Sequence, residues 1–348
     1  MDIANYRRPI NSSSLRQRSS WVLLFLVLAA IVNHTNTASY DRYEYYVDNL
    51  DSIAESIDLA EESTSSVITS PPETTEFEEL AEDTVPTTLS SMTTVQNDQN
   101  NFYCREDLCL QYDISGQLVQ KQHVACGHDG SFARDCLPGR TLFKIDPQIR
   151  AFIIHLHNEA RNRLANGSLE GFEAASRMPT VVWNDELAAL AELNVKSCQF
   201  KHDECRNTDL YRQAGQNLAL GYYPVEENIF DILEKLTTLW FNEYKDADQQ
   251  VMDEFVNPTN VTIGHFTQMM SDRTTTIGCG IVIYPQKVSG FTFKVVLYAC
   301  NYSITSIYSQ PVYQKGQAGA KCASGMNPLY NGLCSLENQF IQSVPFYE

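Results

Sequence analysis

Positive charge is what this sequence has least of. Its 348 residues carry 25 Lys and Arg against 43 Asp and Glu, a formal net charge of −18. A chain this acidic does not offset the phosphate charge of nucleic acid, which excludes a broad nucleic-acid footprint. It is equally unsuited to docking on anionic lipid. Long apolar runs are scarce: beyond one run near the start, no segment is long and apolar enough to span a bilayer. There is no internal repeat. No Gly-x-Ser-x-Gly elbow sets a serine nucleophile on a strand-to-helix turn. Cysteine is absent from the first 103 residues.

The apolar run is WVLLFLVLAAIV, Trp21 to Val32. Arg7, Arg8, Arg16 and Arg18 precede it, and Thr37-Ala38-Ser39 follow. A basic n-region, a short apolar h-region and a small-residue exit read as a signal peptide over residues 1–38, cleaved near Ala38 or Ser39. Twelve residues span only about 18 Å as a helix, against a hydrocarbon core of about 30 Å. The long n-region keeps an uncleaved signal anchor open as the alternative. Residues 39–103 form a different kind of segment. From Tyr40 to Tyr103 there are fifteen acidic residues, one basic residue (Arg42) and seventeen Ser or Thr. Such a composition does not bury enough apolar surface to offset its ordering entropy, so it reads as a disordered linker. A Ser/Thr/Pro-rich stalk that accepts O-glycans is the sharper alternative.

All ten cysteines follow: Cys104, Cys109, Cys126 and Cys136, then Cys198 and Cys205, Cys279 and Cys300, Cys322 and Cys334. In an exported chain an even count suggests five disulfides, whereas in a cytosolic one it would suggest metal clusters. The cysteines delimit a folded unit over 104–310, with a cysteine-rich N-terminal extension, and a C-terminal extension over 311–348 holding the last pair. Within the unit, Asp146 and Pro147 open a helix whose apolar positions Ile149, Phe152, Ile153, Leu156, Ala160 and Leu164 recur at a 3.6 period, closed by Gly167. A second helix is expected from Asn184 to Cys198. A third is expected from Glu226 to Tyr244, with Ile229, Ile232, Leu233, Leu236, Leu239 and Trp240 inward. Ile277–Tyr284 and Phe291–Tyr302 read as strands joined by a Pro285-to-Gly290 turn. Helices separated by strands suggest a layered α/β or α+β sandwich.

Three polar side chains stand out. Glu243 projects near the apolar face of the third helix, where a carboxylate needs a partner. His202 lies close to two cysteines, and His265 follows Gly264 in a turn. Two imidazoles and a carboxylate make a three-ligand zinc set with an open position, although their spacing alone does not bring them together. His155 and His157 lie two apart on a helix and cannot share a face. One packs or caps, and neither is a ligand. Trp183 reads as a core anchor, and Met252, Met269 and Met270 as gap fillers. Asn166, Asn260 and Asn301 head N-x-Ser/Thr sequons. Asn166 and Asn260 are the reasonable acceptors, because Asn301 follows Cys300 within a strand.

The strings HNEARN (His157–Asn162), VWNDELA (Val182–Ala188), CQFKHDECRNT (Cys198–Thr208), AGQNLAL (Ala214–Leu220), GHFTQMM (Gly264–Met270) and YACNY (Tyr298–Tyr302) resemble the CAP superfamily. That superfamily comprises cysteine-rich secretory proteins, antigen 5 and plant pathogenesis-related proteins. HVACGHDGSFARDC (His123–Cys136) resembles its insect antigen 5 branch. The resemblance covers about Cys104 to Cys334. It implies an α+β fold, a disulfide-stabilised three-layer α/β/α sandwich. It implies the pairs Cys104–Cys126, Cys109–Cys205, Cys136–Cys198 and Cys279–Cys300, leaving Cys322 for Cys334. It also implies a cleft tetrad of His202, Gln216, Glu243 and His265, with glutamine where many members have glutamate. His202, Glu243 and His265 are then the candidate zinc ligands, while a neutral amide at 216 is a poor ligand and no general base. Ser271 and Asp272 stand where the family often has tryptophan, which alters one cleft wall.

The resemblance implies a secreted, extracellular, non-enzymatic protein of recognition or signalling, found in insect reproductive, salivary or venom secretions. No residue is assigned as catalytic, and the expected partner is an extracellular protein or lipid ligand. A sterol or fatty-acid carrier and a zinc-dependent hydrolase are the alternatives. Cys322 and Cys334 form a short clip, not the cysteine-dense module of channel-blocking relatives.

Overall fold

The structure, a computed structural model, describes residues 102–112, 117–256 and 260–336. The signal segment and the acidic segment up to residue 101 lie outside the described residues. Phe102 and Tyr103 are described and belong to the folded unit, not to the acidic segment. The Tyr103 ring stacks on His123 at 4.7 Å and its hydroxyl donates to Glu186 at 2.9 Å.

Local signals set the helices. Helix α1 (Pro147–Ala165) starts where the Asp146 carboxylate accepts the Ile149 N–H, with Pro147 at the first position. It ends at Asn166, after which Gly167 takes φ +80°, a conformation suited to glycine. Helix α2 (Asp185–Val195) is capped by Asn184 accepting from the Leu187 N–H. Helix α3 (Ile229–Asn242) is shorter than the expected Glu226–Tyr244. The Glu227 N–H turns back to the Pro224 carbonyl, and Asn228 then caps the helix. At its far end the chain tightens into a 3₁₀ turn over Glu243–Asp246. Leu239, expected inward, is 60% exposed, since the buried face is centred on Leu233, Leu236 and Trp240 and Leu239 falls at its edge. Helices α4 (Gln249–Asp253) and α5 (Gly264–Met270) are short.

A small hairpin pairs β1 (Leu110–Tyr112) with β2 (Leu118–Gln120). The main sheet runs β3 (Thr141–Leu142), β6 (Thr276–Val288), β7 (Phe291–Tyr302) and β5 (Gly215–Tyr223), and β4 (Val182–Trp183) lies parallel to β6. The β6–β7 pairing extends to Val288 opposite Phe291, so the turn is the two residues Ser289 and Gly290, both at positive φ, and not Pro285–Gly290. Pro285 sits within β6 beyond the end of β3, where the missing N–H leaves no sheet bond unmade on that flank.

Helix α2 packs on one face of the sheet, and α1, α3 and α5 pack on the other, giving the three-layer α/β/α sandwich. The α2 face buries Ala191, Val195, Leu218, Val282, Leu297 and Ala299. Close approach there depends on glycine: a Cβ at Gly278 would lie 2.2 Å from the Ala188 amide nitrogen, and one at Gly280 2.5 Å from that of Glu192. On the opposite face Trp240 stacks on Tyr298 at 4.9 Å. Trp183, Met252, Met269 and Met270 are all buried.

The bridges are Cys104–Cys126, Cys109–Cys205, Cys136–Cys198, Cys279–Cys300 and Cys322–Cys334. The second and third close separations of 96 and 62 residues and fasten the N-terminal extension to the loop after α2. Closing loops of that length restricts the unfolded chain by about 4 kcal/mol each in the chain-entropy account. The C-terminal segment is part of the same body. Val312, Tyr313 and Leu333 are buried, and the Gly332 N–H donates to Asn162 of α1 at 2.7 Å.

Arg161 of α1 is the interior staple. Its guanidinium is buried without a carboxylate in contact and donates to the carbonyls of Pro179, Met269, Ser271 and Thr274 at 2.7–3.2 Å. Ser271 and Asp272 therefore lie in the interior beneath this staple, each 1% exposed, instead of forming a cleft wall. Arg161→Leu strands four buried carbonyls, each costing about 1–3 kcal/mol if left unpaired. Denaturant titration should show a loss of at least about 3 kcal/mol, against about 1 kcal/mol or less for Arg163→Leu, whose exposed side chain lies over Phe241 and Tyr244. Equal losses would show that the carbonyl array is dispensable.

Candidate functional site

Strand β5 is the edge of the sheet, and its side chains alternate between faces. Gln216 points to the α2 side, where its Nε2 donates to Asn301 of β7 at 2.9 Å, and Asn301 in turn donates to the Leu187 carbonyl of α2. Asn217 points the other way, donating to the Tyr302 hydroxyl and to the His265 carbonyl, each at 3.1 Å. Two neighbouring residues of one strand thus reach toward the two histidines from opposite faces.

His202 lies in the loop after α2, between the bridged Cys198 and Cys205. Its Nδ1 is 2.8 Å from Gln216 Oε1. Proton order here follows from one neighbour. Asp203 lies 2.8 Å from Gln216 Nε2, and an ionised carboxylate only accepts. The amide must therefore turn its NH₂ to Asp203 and its oxygen to His202, so Nδ1 of His202 carries the proton and Nε2 keeps the lone pair. Asp203 is fixed by Arg206 at 2.7 Å and by Asn194 at 2.9 Å. Burial pushes the His202 pKa below the ordinary imidazole value. The Gln216 bond opposes that shift, while the charges of Arg206 and His265 add to it. The ring is neutral at pH 7, and the two imidazoles are close enough to feel each other's charge.

His265 is set by the helix it opens. Glu243, in the 3₁₀ turn after α3, accepts from the backbone N–H groups of His265 (2.9 Å) and Phe266 (3.1 Å) with one oxygen, and from His265 Nδ1 (2.5 Å) with the other. Here the carboxylate expected to need a partner has three, two of them free amides of the first turn of α5. Trp240 braces this side: its ring is nearly parallel to His265, with centroids 6.1 Å apart, and its Nε1 donates to the Leu218 carbonyl.

Each imidazole is thus oriented through Nδ1, and neither Nε2 has a partner among the described residues. Orientation through the distal nitrogen is the arrangement that metal-ligating histidines adopt. The chain offers two such donors. Glu243, the third candidate ligand, is committed to three N–H groups. Among the described residues one trio has its possible donor atoms within 4.8 Å of one another, Cys109, His123 and Cys205. There the two sulfurs are bonded to each other, and both ring nitrogens of His123 are occupied by the Asn207 carbonyl and the Ala125 N–H. It is a structural cluster. On its outer side His202 borders a cavity of about 560 Å³, between the extension around His128 and the loop of Lys196 and Lys201.

His155 and His157 are buried away from the cleft. His157 donates through Nδ1 to the Ile153 carbonyl and meets the Tyr302 hydroxyl at Nε2. His155 meets Tyr330 of the C-terminal segment at 2.8 Å. Burial pushes both pKa values down to about 4. The sequence reading passed over Asp203, Asn301, Asn217 and Arg206. The first had a signal, since it adjoins His202 in the HDEC string.

Gln216→Glu would set a second carboxylate 2.8 Å from Asp203 and face Asn301 Oδ1 with an acceptor. The new group's folded pKa is raised by its like-charged neighbour, so its charged form is what destabilises. The sign is then fixed: the loss relative to the native chain is greatest above that raised pKa and shrinks as pH falls toward and below the ordinary glutamate value. Unfolding titrations at about pH 8 and about pH 4 should show a deficit of about 1–3 kcal/mol at the former and a smaller one at the latter. A pH-independent deficit would contradict the assigned amide orientation.

The chain matches the family model "CAP: Cysteine-rich secretory protein family" over residues 154–302. It is 40% identical over 235 residues to "Venom allergen-1" of Aedes aegypti, covering 67% of this chain and 87% of that protein. It is 40% identical over 181 residues to "Antigen 5 like allergen Cul n 1" of Culicoides nubeculosus, covering 52% and 82%. Among solved structures, "Crystal structure of NaASP2 with Zn2+" overlays with a TM-score of 0.42 at 23% identity, covering 53% of this chain and 94% of that one. With similarity of this extent running through the strands and helices that hold the two histidines, the chain belongs to the CAP family and is related to the insect antigen 5 and venom allergen proteins.

Proposed function

We propose that this chain is an exported extracellular recognition protein that binds a ligand at the two-imidazole cleft and does not turn it over. One observation carries the reading: each acidic or amide group beside the histidines is already committed. Glu243 is taken by three N–H groups, and Gln216 is neutral and bonded on both ends. A general base needs a free lone pair of suitable basicity within reach of substrate. Only the two imidazole Nε2 atoms keep one, and among the described residues no uncommitted carboxylate stands beside them to complete a metal-activated water. What this region presents instead are two oriented imidazole Nε2 atoms and, beside His202, a cavity of mixed polar and apolar lining. That set suits recognition of a donor-bearing group on a protein ligand. The zinc-dependent hydrolase and the sterol or fatty-acid carrier gain no comparable support.

Export is supported by the five bridges, which persist in oxidising compartments, and by the leader-like start of the sequence. A venom-like secretion is the setting that the relatives' printed names suggest, in the words "venom" and "allergen".

The test is capture of partners from a native secretion by the full chain and by the double variant His202→Ala/His265→Ala, alongside peptide and ester hydrolysis by both. The expected result is a partner held by the native chain, a weaker hold by at least about tenfold for the double variant, which is about 1.4 kcal/mol, and no difference in hydrolysis. Hydrolysis that disappears with the two histidines would overturn the reading.

A further inference from the structure

Among the described residues, sequons begin at Asn166, Asn260 and Asn301, and the fold treats them differently. Asn301 is 0% exposed. Both ends of its amide are engaged: Oδ1 accepts from Gln216 and Nδ2 donates to the Leu187 carbonyl. A sugar on that nitrogen would break the bond to α2 and separate the sheet from the helix that glycine contacts hold against it. Any molecule modified there would not reach this fold. Asn166 ends α1 at the surface. Its Oδ1 accepts the Ser168 N–H at 2.9 Å, closing a turn within the sequon, and its Nδ2 makes one long contact of 3.4 Å to Asn331 Oδ1. Asn260 is exposed, as are Val261 and Thr262 of its sequon.

Asn260 also has a position. It stands five residues before His265, so the intervening backbone spans at most about 18 Å. A branched oligosaccharide on its exposed side chain has the length to cover that distance to His265.

We propose that Asn260 carries an N-linked glycan that overhangs the two-imidazole cleft, that Asn166 carries a second away from it, and that Asn301 carries none. The inference rests on the export reading, since the modification takes place on the secretory route. The donor is a lipid-linked pyrophosphate oligosaccharide. The Asn Nδ2 forms a bond to the anomeric carbon, the bond from that carbon to the lipid pyrophosphate breaks, the pyrophosphate leaves with the electron pair, and Nδ2 gives up one proton. Shielding by the overhanging chain restricts the cleft to ligands slim enough to pass beneath it, which makes the glycan part of the recognition surface.

The full chain with its own leader is expressed in insect cells, and medium and cell fractions are analysed by glycopeptide mass spectrometry before and after enzymatic deglycosylation. The expected result is protein in the medium with glycan at Asn260 and Asn166 and unmodified Asn301, and loss of one glycan's mass in Asn260→Gln. Acylation of His265 by diethyl pyrocarbonate should rise severalfold in that variant, while acylation of His128, on the other side of His202, stays unchanged. Exported protein bare at Asn260, or glycosylated at Asn301, overturns this inference and leaves export standing. Unchanged His265 acylation overturns the overhang. Protein retained in the cytosol overturns export and this inference with it.

Discussion

An ionised carboxylate that can only accept hydrogen bonds sets the order of the cleft. Asp203 holds the Gln216 NH₂, the amide oxygen is thereby turned on His202, and the imidazole must place its proton on Nδ1. Glu243 does the same for His265 while also occupying the first free amides of α5. These are two independent devices, one from the loop after α2 and one from the end of α3. They leave equivalent atoms, the two Nε2, without a partner among the described residues. A glutamate at 216 would meet Asp203 as a second anion, so the amide and Asp203 are a matched pair. The absence of a second cleft carboxylate then follows from local electrostatics.

The frame that brings these devices together is held by contacts of unusually short reach. Gly278 and Gly280 let α2 lie directly on β6, which fixes the start of the loop bearing His202. Cys136–Cys198 and Cys109–Cys205 fix that loop on either side of the histidine. On the other face Trp240 joins the Leu218 carbonyl, Tyr298 and His265, tying α3 to the sheet beneath the second imidazole. Arg161 ties the Pro179 carbonyl to those of Met269, Ser271 and Thr274 at and after the end of α5, and so fixes how the GHFTQMM helix is seated. His202 and His265 are each positioned by packing on one of the two faces of the edge strand β5.

Much of this was legible in the sequence, and the physical reasons differ from part to part. Asp146-Pro147 and Asn184 marked helix starts because capping is a local hydrogen bond between residues three apart. The β6–β7 strands were visible from their apolar runs, but their turn was not, since pairing through Pro285 depends on where β3 stops. Leu239 was assigned inward because helical period alone does not say which edge of an apolar stripe meets the sheet. The tetrad came from resemblance, as no spacing rule connects residues 202, 216, 243 and 265. Asp203, Asn301 and Asn217 were passed over because a polar residue's role in a proton network is set by which atoms face it in three dimensions. Arg161 was hidden for a related reason: a cation paired with carbonyls leaves no acidic partner in the sequence to reveal it.

The central claim is that both cleft imidazoles are held with the proton on Nδ1 and the lone pair on Nε2. Long-range proton–nitrogen correlation spectra of the ¹⁵N-histidine-labelled chain, recorded at alkaline pH where the rings are neutral, report this directly. The account predicts Nδ1-protonated tautomers for His202 and His265. It further predicts that Asp203→Asn releases His202, and only His202, into a mixture of tautomers. A predominantly Nε2-protonated His202 in the native chain would contradict it.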